Sequence, residues 1–373
     1  MEKGISKKNF LICYMKKYRE ILYVLFFFPQ FICVSLGLGS ADWFYKVVFA
    51  LGIPCLLLSM TGEDYSLKEA GKMIVVAVLA LWAFLQNGNR SLILACMAIY
   101  GSKNLNLRNI MTWALWILVA CMALKIFLSA VGLIPNKAVI LPKEGGKNYT
   151  IYCYGYDTPN NLYFHLNMVM SLVIVLYGRK LRWMLILLIT VVMYVSYRIL
   201  MSRTGWICFL LMLILYLVFR LLNKWKHRVG EYFLIALVFS PIILCLLNWG
   251  IILIYDAEIQ WTEIMNALFT GRISLANKAI RVFGLSLLGS RGAEQLDMLY
   301  VSMLLNYGVV LTVICIGSYA KTMWKLYKKG DGLIVIAMSV IAAYSFMEVN
   351  AINPMWNPML LYLSISLFNC VQD

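Results

Sequence analysis

Charge and histidine are what this chain has least of. Only 13% of its 373 residues are Asp, Glu, Lys or Arg, and it holds two histidines. So little charge excludes a water-soluble globular domain, in which about a quarter of residues are charged. Hydrophobic residues make up 62% of the chain, and the mean hydropathy is +0.80. The sequence therefore reads as an all-α, polytopic membrane protein. With two histidines and no Cys/His cluster at ligand spacing, a zinc site is not expected. The ten cysteines are scattered, mostly inside apolar stretches. Only Cys153 falls clearly in a polar loop, so no disulfide framework is expected. The sequence holds no internal repeat, which counts against transporter folds built from inverted repeats.

Twelve apolar stretches are expected as helices: Ile21–Leu38, Trp43–Met60, Gly71–Leu85, Ser91–Tyr100, Ile110–Leu133, Leu162–Tyr177, Trp183–Ile199, Gly205–Leu222, Tyr232–Ile252, Met298–Tyr319, Leu333–Phe346 and Pro358–Phe368. A spanning helix needs about 20 apolar residues. The third and fourth are short, fitting a tilted hairpin or helices partly buried in protein. Residues 1–373 read as one integral membrane domain. Alternate loops collect 21 of the 33 Lys and Arg, from Lys3 through Arg19, Lys103, Arg179 and Lys224 to Lys329. By the positive-inside rule that side is cytoplasmic, as are both termini, with the chain multi-pass in a plasma or inner membrane. The basic start, Met1 to Glu20, has no small-residue cleavage site after it and reads as an uncleaved anchor. The net charge of +16 is then a matter of topology and anionic lipid headgroups. It gives no reason to expect nucleic acid.

Two long loops lie on the outer side, about 133–161 and 253–296, and cations gather there against the rule: Arg198, Arg203, Arg272, Arg281 and Arg291. Arginine grips phosphate bidentately, so these point to an enzyme handling a lipid-linked phosphate at that face. The first loop, rich in Gly, Asn, Tyr and Pro, offers ring faces and amides to carbohydrate through Tyr156, Asn160, Asn161 and His165. Ordinary interfacial tyrosines are the alternative, and His165 reads as packed or capping rather than catalytic. In the second loop Arg272–Phe283 has helical periodicity. Ile273, Leu275, Ala276, Ala279, Ile280, Val282 and Phe283 share an arc centred near Arg272, while Ser274, Asn277, Lys278 and Arg281 lie opposite. A cation inside an apolar stripe needs a partner: Asp256, Glu258 or a substrate phosphate, with phosphate favoured.

Between the seventh and eighth helices runs SYRILMSRTGW, Ser196 to Trp206. Ser202 fits an N-cap, putting Arg203 in a first turn whose free N–H groups already favour anions. Arg198 either supports that cradle or snorkels to headgroups. Asp297 and Glu294, three residues apart at the start of the tenth helix, would share one helical face and suit a general base. The alternative is that Asp297 helps start the helix and Glu294 pairs with Arg291. Glu348, in the last outer loop, is the next acid in line. Asp256-x-Glu258 has a metal-like spacing but reads as two loop acids.

The order SRTGW, then TGR–x5–KAI–x8–GS, then LDMLYVSMLLNYGVV, with TPN at Thr158–Asn160 before them, resembles the Wzy-type polysaccharide polymerases and the related O-antigen ligases. The resemblance covers most of Tyr152 to Pro358 and implies a GT-C-like glycosyltransferase. Such an enzyme transfers a growing glycan from undecaprenyl pyrophosphate to a lipid-linked repeat unit at the outer face, as in capsule or O-antigen biosynthesis. Arg203 and Arg272 correspond to arginines of the ligases, with Arg198 and Arg291 beside them as further pyrophosphate ligands. Where the ligases carry a histidine before the next span, alignment on Gly308 puts Asp297, which favours polymerase over ligase. The arginines stabilise a pyrophosphate leaving group unaided, so no metal or other cofactor is expected. Membrane lipids, a chain-length regulator and a flippase are the implied partners. A flippase for the same lipid is the non-enzymatic alternative.

Overall fold

A computed structural model describes residues 7–39, 41–142, 148–224, 228–293 and 296–368. The helices are α1 (Lys7–Ser35), α2 (Trp43–Thr61), α3 (Leu67–Asn87), α4 (Ser91–Gly101), α5 (Leu107–Ala130), α6 (Pro159–Tyr177), α7 (Trp183–Leu200), α8 (Arg203–Lys224), α9 (Arg228–Ile254), α10 (Gln260–Leu268), α11 (Arg272–Phe283), α12 (Leu299–Lys328), α13 (Gly332–Tyr344) and α14 (Ser364–Phe368). An antiparallel strand pair, β1 (Ala138–Pro142) and β2 (Asn148–Tyr152), sets Ile140 opposite Thr150 inside the first long loop. Among the described residues nine helices are long and apolar enough to cross a membrane. The chain is thus nearly all-α and multi-pass. Three shorter apolar segments, Ser91–Gly101, Gly332–Tyr344 and Pro358–Phe368, account for the other expected stretches. At 11 residues, α4 is only about 16 Å long and cannot cross a core of about 30 Å. It is buried almost throughout, inside the bundle.

Burial sorts the helices into lipid-facing and central. In α7 only Ile186, Met193 and Leu200 are buried, one residue every two turns, and Leu187, Leu188, Val191 and Val195 lie exposed. A stripe that narrow belongs to a helix at the bundle's rim. α6 and α13, by contrast, are buried along most of their length and pack on each other at the centre.

Three details depart from expectation. α3 is not short: Ser66 and Glu69 form a capping box that starts it at Leu67, satisfying two end N–H groups reciprocally. α12 extends to Lys328 but is broken at Gly308, where φ is 77° and ψ 173°. The segment after α11 fills the break, with Val309 N donating to Ser286 O (3.1 Å) and Ser290 N to Leu305 O (2.8 Å). A Cβ on Gly308 would lie 2.3 Å from Gly289 N, so this backbone-on-backbone contact requires glycine. The third departure is in α11. Leu275 and Val282 are exposed, whereas Asn277 is buried and donates to Ile252 O at 2.7 Å, tying α11 to the end of α9. Its amide reaches a carbonyl in the last turn of α9, which hydrophobic periodicity cannot register.

Cations gather at one end of the bundle and tie helix termini together. Arg108 donates to Leu176 O, Arg179 to Gly330 O, Arg220 to Leu181 O and Lys325 to Ile365 O. Lys103 pairs with Glu69 at 2.9 Å, and Arg19 pairs with Glu63. α6 starts at the opposite end and α13 finishes there, and so the first turn of α6 meets the chain just beyond α13.

Candidate functional site

A buried carboxylate under an arginine organises that opposite end. Thr158 caps α6, its hydroxyl accepting from Asn161 N at 3.2 Å, with Pro159 in the first turn. The cap sets Asn160 and Asn161 at the helix entrance. Asn160 Nδ2 donates to Glu348 Oε1 at 3.3 Å, and the Ser202 hydroxyl donates to Asn160 Oδ1 at 2.8 Å. Gly205, in the first turn of α8, permits this approach. A Cβ there would sit 2.2 Å from the Tyr163 ring, and Asn167 Nδ2 donates to Gly205 O at 2.9 Å. The SRTGW motif thus packs α8 onto α6 and leaves Arg203 next to Ser202. Arg203 is exposed, with no carboxylate partner among the described residues.

Arg272 arrives from the other side. Thr270 and Gly271 both take left-handed conformations, with φ of 55° and 78°. This tight turn aims the start of α11 at the site. The position is costly for a cation, because the helix dipole repels positive charge at its N-terminus. Two carboxylates offset that cost: Asp297 Oδ2 lies 3.2 Å from Arg272 Nε, and Glu348 Oε1 lies 3.6 Å from Nη1. Nη1 also donates to Met347 O at 2.7 Å. Nη2 carries no hydrogen bond among the described residues and remains available for an incoming oxygen. Asp256 and Glu258 are not the partners. They are exposed, and Asp256 Oδ1 accepts from Glu258 N at 3.0 Å.

The two carboxylates differ in surroundings. Asp297 is 61% exposed at its side chain and Glu348 9%. Burial pushes the Glu348 carboxyl up to about 7, against the pull of Arg272 and with the push of the Asp297 charge. A carboxyl poised there exchanges a proton at neutral pH, as a general base must. Asp297 lies two residues before α12 rather than in its first turn, and Met298 is the residue preceding the helix. The expected shared helical face with Glu294 is therefore absent on the Asp297 side, and Glu294 lies outside the described residues.

The remaining expected residues divide. Tyr156 and Asn161 line a cavity of about 610 Å³ beside the carboxylate cluster, and Asn350 Nδ2 donates to Asn161 Oδ1 at 3.2 Å. His165 is 1% exposed and stacks on Trp356 at 4.5 Å. Its Nδ1 is 3.3 Å from the Tyr156 hydroxyl. This is a packed histidine beneath the cavity wall. Arg198 is exposed and reaches only Tyr194 OH, one turn back on its own helix, at 3.3 Å. Arg291 is exposed and likewise outside the cluster. Sequence reasoning passed over Lys125, a buried cation within α5 that lines the same cavity. An ionisable residue inside an apolar span is itself the signal that marks it. Among the described residues no group of three His, Cys, Asp or Glu side chains could hold a metal ion.

Comparison with protein-family models, with curated proteins and with solved structures finds no match to this chain.

Proposed function

We propose that the protein is a membrane glycosyltransferase that moves a glycan from a lipid-linked pyrophosphate to a hydroxyl of a second lipid-linked unit, a Wzy-type polymerase working at the outer face. The observation that carries this reading is the Arg272–Glu348 pair: a cation with a free donor beside a buried carboxyl that titrates near neutrality. In the reaction the bond between the anomeric carbon and the pyrophosphate oxygen breaks. Arg272 and Arg203 receive the developing charge on the leaving group, a role suited to the planar fork. Glu348 takes the proton of the acceptor hydroxyl as the new glycosidic bond forms. Asn160, held by Ser202, orients the carboxylate, and Asp297 keeps Arg272 in place from the solvent side. The base is assigned to Glu348 rather than Asp297 because Glu348 is buried beside Asn160, whereas Asp297 is mostly exposed and meets Arg272 from the solvent side.

The test is incubation of purified protein in liposomes with a synthetic pyrophosphate-linked repeat unit, with products sized on a gel. A ladder of products supports a polymerase. A single transfer to a different acceptor makes the protein a ligase, and translocation of the lipid without any transfer makes it a flippase.

A further inference from the structure

Among the described residues one deeply buried cation forms no ion pair. Lys125, near the C-terminal end of α5, is 6% exposed, and its ammonium lies 4.0 Å over the Tyr156 ring. Among the described residues it makes no hydrogen bond or ion pair. The acid that shares its cavity, Asp157, is already engaged with Lys137 at 2.5 Å. Space for the ammonium comes from Gly37, which is left-handed at φ 87° and whose Cβ would sit 2.6 Å from Nζ. A buried ammonium over an aromatic ring, sharing the pull of Asp157 with Lys137, is costly without a closer anion to meet it.

The surroundings say what kind of anion. The cavity of about 610 Å³ also takes in Arg90, exposed at the N-cap of α4 and forming no ion pair among the described residues. Two unpaired cations of different shape, an ammonium and a planar fork, suit a multiply charged oxyanion. The volume is that of a site for a sizeable ligand rather than a single ion. Val34, Leu38, Phe49 and Ile93 supply apolar wall, and Asn161 and Trp356 supply a polar and aromatic wall toward Glu348.

We propose that this cavity is a second anion site that takes the phosphate ester of an amphiphile, with the phosphate on Lys125 and Arg90 and the apolar part along the α1–α4 wall. Asn161 lines it while its neighbour Asn160 holds Glu348, so a ligand seated there lies beside the carboxylate. If the polymerase reading holds, on which this role rests, the occupant is the acceptor lipid, distinct from the donor at Arg272. The phosphate chemistry itself stands without that reading.

Binding without turnover tests it. Purified protein in nanodiscs is titrated with farnesyl diphosphate and, separately, with phosphatidylglycerol, and bound ligands are counted by native mass spectrometry. Lys125→Met should weaken one binding event about tenfold or more, and Arg90→Gln should weaken the same event less. Lys125→Arg should largely restore it, and Arg272→Gln should leave it intact. Lys125-dependent retention of farnesyl diphosphate identifies a prenyl phosphate. Dependence seen with phosphatidylglycerol alone identifies a bilayer headgroup and still upholds the anion site. Arg90 is exposed, so its variant reads the site even if Lys125→Met fails to fold. Equal binding of both lipids by wild type and Arg90→Gln, and by any Lys125→Met that folds, overturns the proposal. Lys125-dependent binding in a protein that makes no ladder removes the polymerase reading and leaves the site.

Discussion

Replacing Glu348 with Gln should raise stability and abolish transfer at once, with a pH dependence set by one carboxyl. Its value of about 7 lies above the ordinary 4.5 because burial disfavours the charge. An acid raised in the folded state binds its proton more tightly there than when unfolded. Between pH 4.5 and about 7 the native state then holds more protons, so stability falls as pH rises through that window and is flat above it. At about 1.4 kcal/mol for each tenfold change in proton affinity, the loss comes to about 3 kcal/mol at pH 8. Glutamine copies the shape of the protonated acid, still accepts from Asn160, and never ionises. Glu348→Gln should therefore match wild type near pH 5 and exceed it by up to about 3 kcal/mol near pH 8. The assay is thermal unfolding in detergent, read by labelling of buried thiols such as Cys208 and Cys245. A variant less stable than wild type near pH 8, or offset equally at both pH values, would refute the buried-acid argument.

Other outcomes follow from the same geometry. Arg272→Lys should fold and remain impaired in ladder formation, because a point charge cannot serve Asp297, Glu348 and a phosphate together. Lys278→Ala, exposed on the same helix, should be nearly silent, and similar losses for the two would contradict the site. Gly308→Ala should destabilise by several kcal/mol or prevent folding, since a methyl meets Gly289 N and the backbone is left-handed. Gly317→Ala on the same helix meets nothing within 4 Å and should be neutral or stabilising by up to about 1 kcal/mol, as thermal unfolding of the two variants will tell. Transfer should survive EDTA, the arginines neutralising the pyrophosphate, and loss on chelation with rescue by magnesium would assign a metal role.

Much of the frame was legible in advance because apolar runs and loop charge are local properties. All twelve expected stretches are helical or 3-10 in whole or large part, and the basic loops meet at one end as alternation requires. That Arg272 needs a partner is legible from its place in an apolar stripe, but the protein acids that meet it are Asp297 and Glu348, not Asp256 or Glu258. Its partner Glu348 was not legible, since that residue lies 76 positions away and is a buried carboxyl only when α6, α11 and α13 converge. The Ser66–Glu69 capping box could have been read from its spacing, and Lys125 from its apolar neighbours. The break at Gly308 could not, because its cause is a loop some twenty residues earlier packing against it. Asn277 shows the limit of periodicity: a polar side chain was buried by one carbonyl at the end of α9.

The most direct test of the account is the pH dependence of a single glycan transfer, measured on lipid-bound wild type and Glu348→Gln from about pH 5.5 to about 8.5. The account predicts a wild-type rate rising about tenfold per pH unit to a plateau just above 7, as the carboxyl ionises. It predicts a variant that binds lipid normally and transfers about a hundredfold or more slowly, with that rise gone. A variant that transfers at the wild-type rate, or keeps the same rise with pH, would contradict the assignment of Glu348 as the base.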